Sequence, residues 1–191
     1  MRRRRLGLLL AVALIVAAVA AVLGPLDRAV REITLPLRHE DIIRQQAREK
    51  ELDAALIAAV IYEESRFRDR TSPKGAKGLM QITPETAEFI ARKSGGTRFE
   101  LRDLGTPQIN IQYGSWYLQY LSNRYRGNLD LAVAAYNAGP TKVDGWVRAA
   151  GGPGSFDVNE DIPFKETRDY VNGVSEHRKQ YRERYARELG L

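Results

Sequence analysis

The chain has 191 residues, 43% of them hydrophobic and 28% charged, which leaves room for a short targeting segment and one domain of roughly 150 residues with its own core. It contains no cysteine and two histidines, His39 and His177; this excludes a disulfide framework, a thiolate or histidine-rich metal site and a lipid-modified N-terminal cysteine, and no metal or cofactor is implied. The formal charge of +6 comes mostly from Arg2, Arg3, Arg4 and Arg5, and no basic stripe with interleaved aromatics follows, so nucleic acid is not an expected partner.

The four arginines abut a charge-free run from Leu6 to Leu23 that ends at Gly24-Pro25, where proline disfavours continuing a helix. Residues 1–24 therefore read as a signal anchor or a signal peptide. The run of about 18 residues is longer than a usual signal core and favours an uncleaved membrane anchor, although Ala17-Ala18-Val19-Ala20 offers a small-residue cleavage site. The positive-inside tendency keeps Arg2 to Arg5 in the cytoplasm and sends the rest outward. The expectation is a single-pass protein with its folded part extracytoplasmic, or a secreted one if the segment is cleaved. Residues 25–38, with Pro25 and Pro36, read as a tether, and 39–191 as the folded domain.

From there the pattern is helical. Glu40 to Lys50 is amphipathic through Ile42, Ile43 and Ala47, and Ala54 to Phe67 is a more apolar helix. Thr83-Pro84-Glu85 supplies an N-cap, a first-turn proline and an acidic residue for a helix reaching Ser94 and stopping at Gly95-Gly96. Thr106-Pro107 repeats the device before a long helix carrying Tyr113, Trp116, Tyr117 and Tyr120, rings better suited to the core than to a sugar platform. Leu129 to Tyr136, Thr141 to Ala150 and Phe164 to Glu188 complete the set. Sustained period-two alternation is missing, so the fold class is all-α with little or no sheet.

Within this frame Glu64 is unusual. At roughly 100° per residue, Leu56, Ile57, Val60 and Ile61 share one helix face, and Glu64 projects near its middle while Glu63 falls about a quarter turn away. An inward carboxyl resists ionisation and is suited to general acid work. Downstream stand Gly78-Leu79-Met80-Gln81, then Ala135-Tyr136-Asn137-Ala138-Gly139, then Ile162-Pro163-Phe164-Lys165-Glu166-Thr167-Arg168-Asp169-Tyr170. Alone, the first of these strings reads as a tight turn, the second as a helix stop in which Asn137 satisfies backbone carbonyls, and the third as a solvated helix start.

Together with Glu64-Ser65, and in this order, these strings resemble the catalytic domain of the family 1 soluble lytic transglycosylases, enzymes of lysozyme-like fold that cleave peptidoglycan glycan strands. The resemblance covers most of the chain after about position 40. It implies that Glu64 is the catalytic acid, that Gln81 contacts the sugar over an apolar surface from Met80, and that Tyr136 lies across from Glu64, where a phenol can hydrogen-bond both the carboxyl group and a polar group of the substrate. It also implies that Glu166 faces the cleft, that Arg168 and Tyr170 hold the surrounding loop or last helix, and that Ser65 supports the loop or touches the sugar. Ser65, Met80, Gln81, Tyr136, Asn137, Glu166 and Tyr170 are thus the candidate substrate-binding set.

Most glycosidases use two flanking carboxyl groups, whereas only Glu64 has a strong claim here. One acid suffices if the substrate supplies the nucleophile. The resemblance implies cleavage between N-acetylmuramic acid and N-acetylglucosamine with closure of a 1,6-anhydro ring. Goose-type lysozymes share the fold and use water, so a hydrolytic muramidase remains an alternative, as does a peptidoglycan-binding scaffold without catalysis.

Overall fold

A computed structural model describes residues 21, 30, 32–95 and 100–191. Contacts divide the chain into two units, Met1–Pro36 and Leu37–Leu191. Of the first, Ala21, Val30 and residues 32–36 are described; residues 32–34 are helical and the Thr34 hydroxyl donates to the Val30 carbonyl. The apolar run expected to anchor the chain lies, apart from Ala21, outside the described residues. Among the described residues no helix is long and apolar enough to cross a membrane.

The second unit is built from helices. The first three are α1 (Glu40–Lys50), α2 (Ala54–Ser65) and α3 (Pro84–Ser94). A 3-10 turn follows over Leu101–Gly105, then α4 (Pro107–Arg124), α5 (Leu129–Ala138) and α6 (Pro140–Ala149). The last are α7 (Val158–Asp161), α8 (Lys165–Arg184) and α9 (Ala186–Leu189). The described residues contain no strand, only isolated bridges joining Thr71 to Lys77 and Lys77 to Ile82.

Capping chemistry sets several of the boundaries. Asp53 opens α2 by accepting from the Ala55 amide, Thr83 opens α3 by accepting from Thr86, and Asn128 opens α5 by accepting from Leu131. Thr106 stands at the predicted N-cap of α4 but makes no side-chain cap bond, so Pro107 at the first helical position carries that start alone. The predicted final helix is broken at Tyr185, and the short pieces Leu101–Gly105 and Val158–Asp161 went unpredicted because each is too brief to show a period.

Every residue of α2 from Ala54 to Ile61 is buried, because the helix is wrapped by its neighbours and packs chiefly against α8. An all-round apolar helix is a core helix, and its last turn is where polar groups first emerge. This changes the basis on which Glu64 was singled out: in a helix with no solvent face up to Ile61, angular phase does not separate Glu64 from Glu63. Both are half-buried. Arg66 and Phe67 then take left-handed backbone conformations, with φ of 51° and 59°, and turn the chain out of the helix.

Beside this core, Phe89 of α3 meets Trp116, Tyr117 and Tyr120 edge-on, while Trp116 and Tyr117 each stack near-parallel with Tyr120. Tyr117 continues the cluster to Tyr136 at 5.6 Å between ring centroids. The rings pack on one another but are only half-buried, so they edge the core and do not fill it.

Candidate active site

A cavity of about 400 Å³ opens where four segments meet. The end of α2 contributes Glu63 and Glu64, the following loop Arg70 and Gln81, the end of α5 Asn137, and the start of α8 Glu166, Asp169 and Tyr170. The helix ends bring their side chains together because α2 and α5 both pack on α8.

Glu64 is the electrostatic centre. Burial pushes its carboxyl up from the ordinary 4.5 to about 7, against the opposing pull of the Tyr170 hydrogen bond and the Arg70 charge, and the Glu63 charge adds to the rise. Tyr170 donates to Glu64 Oε1 at 2.7 Å. Arg70 reaches back to donate to the Glu64 main-chain carbonyl at 2.6 Å, closing the loop onto the end of its helix. A carboxyl with a proton affinity near neutrality, open to a cleft, can both give and take a proton at physiological pH. The Tyr136 and Tyr170 phenols are pushed well above their usual range, first by burial and then by the Glu64 charge, so both stay protonated as donors.

The loop wall is held largely by side chains bonding to backbone. Ser65 is buried and its hydroxyl is shared between the Ile61 and Leu79 carbonyls, at 3.1 and 2.7 Å. Asn110, fully buried on α4, accepts from the Met80 amide at 2.8 Å and donates to the Lys77 and Leu104 carbonyls. Gly78 is required beside it: φ is 75°, and a Cβ there would overlap the Asn110 side chain. Gln81, at φ 48°, donates from Nε2 to the Arg70 and Gly78 carbonyls.

Several expectations are corrected by these contacts. Met80 offers no surface beneath a sugar, because its side chain is completely buried and packs where Gly114 leaves room for it. Ser65 is a loop support; burial removes it from any sugar. The Tyr136 hydroxyl donates to the Met80 carbonyl at 2.9 Å, so the phenol bonded to Glu64 belongs to Tyr170 instead. Asn137 does not cap α5: its Oδ1 accepts from the Thr167 hydroxyl at 2.8 Å and ties α5 to α8. Arg168 donates to the Ile162 carbonyl and holds the approach to α8.

Glu64, Gln81, Asn137, Glu166 and Tyr170 of the sequence-derived set line the cavity, together with Arg70, Asp169 and Glu63, which the sequence pattern does not single out. Asp169 was legible in principle, since it follows Glu166 at the i, i+3 spacing that shares a helix face. Arg70 carries no local signal. Asn110, the main brace of the loop, is a polar residue between two isoleucines in a helix, a buried-polar signature that was open to notice. Among the described residues no group of three or more His, Asp or Glu side chains is placed to hold a metal ion.

An all-helical domain with one proton-active carboxyl at the end of a core helix, facing an open polar cleft, is consistent with a lysozyme-like domain. The chain belongs to the Transglycosylase SLT domain family, whose model matches residues 41–158. It is 36% identical over 159 residues to the soluble lytic murein transglycosylase of Salmonella typhimurium, covering 79% of this chain and 24% of that protein. An inactive mutant of the lytic transglycosylase Slt from Pseudomonas aeruginosa superposes with a TM-score of 0.74 at 33% identity, over 82% of this chain and 26% of that one. The 70-kDa soluble lytic transglycosylase of Escherichia coli does so with a TM-score of 0.74 at 34% identity, over 80% and 25%. The chain thus spans about a quarter of the length of the relatives it matches.

Proposed function

We propose that this protein is a peptidoglycan lytic transglycosylase in which Glu64 serves as acid and then as base. The observation that carries the reading is the Glu64 carboxyl, buried to a pKa of about 7 and held by Tyr170 at the edge of the cavity. Protonated Glu64 gives its proton to the oxygen linking N-acetylmuramic acid to N-acetylglucosamine, and that bond breaks as positive charge develops at C1 of the muramic residue. The substrate's 2-acetamido group stabilises this centre. Ionised Glu64 then takes the proton of the C6 hydroxyl, whose oxygen closes on C1 to give a 1,6-anhydro ring. No water is consumed, and the carboxyl ends the cycle as it began. Tyr170 supports both halves, since its hydrogen bond steadies the ionised state that exists between them.

Gln81, Asn137 and Glu166 border the strand in this reading. Glu166 also gives a hydrolytic muramidase its specific support: it is a second carboxylate in the same cavity, which a water-activating mechanism requires. Digestion of purified glycan strands in heavy-oxygen water separates the two. Unlabelled fragments, lighter by one water than hydrolysis products, support the transglycosylase; labelled reducing ends establish the muramidase, and pull-down of intact strands without cleavage leaves the scaffold.

The arginine cluster and the apolar run to Leu23 support a reading in which residues 1–24 are a signal anchor or signal peptide, 25–38 a tether and 39–191 a catalytic domain held outside the cytoplasm. Cell fractionation with protease access to a C-terminal tag tests this. A membrane-bound, protease-accessible tag supports the anchor, and a soluble product starting near Gly24 shows a cleaved signal.

A further inference from the structure

The proposed chemistry has no step for Glu63 or His177, yet they are bound to each other beside it. His177 Nδ1 lies 2.7 Å from Glu63 Oε1 and 2.8 Å from the Gly173 carbonyl. A carbonyl and an ionised carboxylate only accept, so Nδ1 carries the hydrogen that both share. The Tyr62 ring packs against the imidazole with centroids 4.2 Å apart. The two side chains are mostly buried, at 23% and 22% exposure, more enclosed than the surface ion pairs that contribute little. Gly173 completes the contact: it lies in the middle of α8, and a Cβ there would overlap the Glu63 carboxylate.

Tyr170, Gly173 and His177 stand at i, i+3 and i+7 on one face of α8. That face receives the two consecutive carboxylates of α2, Glu64 through Tyr170 and Glu63 through Gly173 and His177. Arg66 and Phe67 turn away immediately afterwards, so beyond the ties of Ser65 and Arg70 to the loop, the last turn of α2 is held by its contacts with α8.

We propose that Glu63 and His177 are positioning residues for Glu64, a clamp that fixes the last turn of α2 against α8 and keeps a negative charge beside the acid. The inference rests on the reading of Glu64 as the acid. His177 does not line the cavity and acts through Glu63. The groups facing Glu64 are Arg70 from the loop, Tyr136 from α5 and Tyr170 from α8, with Glu166 and Asp169 across the cavity; those facing Glu63 are His177, Tyr170 and Tyr181 from α8. Among these groups Glu63 is the negative charge that raises the proton affinity of Glu64. Removing its charge favours ionised Glu64, so activity is lost at a lower pH on the alkaline side. Releasing the clamp instead lets the carboxyl drift, and misplacement by about 1 Å costs on the order of a hundredfold in rate.

The test compares full-length Gly173→Ala, His177→Ala, His177→Asn and Glu63→Gln with wild type on purified glycan strands, reading kcat, KM and melting temperature across pH, with Glu64→Gln as reference. Gly173→Ala and His177→Ala are expected to lose about tenfold or more in kcat with little change in KM. His177→Asn, whose amide nitrogen replaces Nδ1, restores most of it, and Glu63→Gln moves the alkaline limb to lower pH while retaining activity below it. Alanine is favoured over glycine inside a helix, so an undiminished melting temperature for Gly173→Ala separates displacement of Glu63 from unfolding. Wild-type kcat and an unmoved alkaline limb in the Gly173, His177 and Glu63 variants, with Glu64→Gln inactive, overturn the clamp. An active Glu64→Gln overturns the acid reading beneath it.

Discussion

The two long walls of the cleft, the loop from Arg66 to Ile82 and the first turns of α8, are built on opposite plans. Side chains at the loop face inward to its own backbone: Ser65, Asn110, Gln81 and Tyr136 all bond to loop carbonyls or amides. The α8 wall needs less such support, because beyond its first turn the helix pairs its own backbone and Arg168 holds the approach. Its side chains are released for other work, and Glu166, Asp169 and Tyr170 point to the cavity or to Glu64. The loop is therefore braced by its own Gln81 and by Ser65, Asn110 and Tyr136 from the helices around it, whereas the first turns of α8 turn their side chains to the cavity and to Glu64.

The largest effect that tests this division comes from Glu64→Gln. Loss of the acid is expected to lower turnover by at least about a hundredfold, while the fold gains stability. The sign follows from linkage. A carboxyl raised from 4.5 to about 7 is still protonated in the folded state where the unfolded chain has already ionised, so stability falls as pH rises between those values. Glutamine removes that penalty, and at pH 8 the variant is expected to be more stable by about 1–3 kcal/mol. A melting temperature at or below that of wild type at pH 8 would remove the basis for treating Glu64 as a strained, proton-holding acid.

Asn110→Ala tests the other side of the comparison. It leaves the Met80 amide and the Lys77 and Leu104 carbonyls without their buried partner, and the expected cost is about 2–4 kcal/mol in denaturant unfolding. Activity falls with it, since the loop carries Arg70 and Gln81. Because Asn110 lies outside the cavity, a variant that loses activity without losing stability contradicts a purely bracing role.

The same division explains what was legible in the sequence. The helices from α1 to α6 announced themselves through periodicity, proline starts and glycine stops, and Glu40–Lys50 falls where its pattern places it. The candidate acid was also legible, although for a reason that had to be replaced: α2 is buried on every side, so Glu64 is distinguished by its partners and not by its phase. What escaped is long-range pairing. Tyr170 meets Glu64 across 106 positions and His177 meets Glu63 across 114, and no local pattern encodes such a match. Tyr136 and Tyr170 are both tyrosines in motifs that border the cleft, and the sequence holds nothing that says which phenol reaches the acid.

That exchange between two tyrosines supplies the finest test. Tyr170→Phe removes a donor that favours ionised Glu64, so the proton affinity of the acid rises and the alkaline limb of activity moves to higher pH. Turnover falls several-fold at the optimum, as the carboxyl loses the bond that orients it. Tyr136→Phe removes a donor from the Met80 carbonyl only, at a cost of about 1 kcal/mol in stability. Its alkaline limb is expected to stay where wild type has it, because a neutral phenol bonded elsewhere contributes nothing to the choice between the two forms of Glu64. Paired pH profiles and melting curves decide the matter. If Tyr136→Phe moves the limb and Tyr170→Phe does not, the phenol on the acid in solution is the one carried by α5, and the helix wall loses its claim to the chemistry.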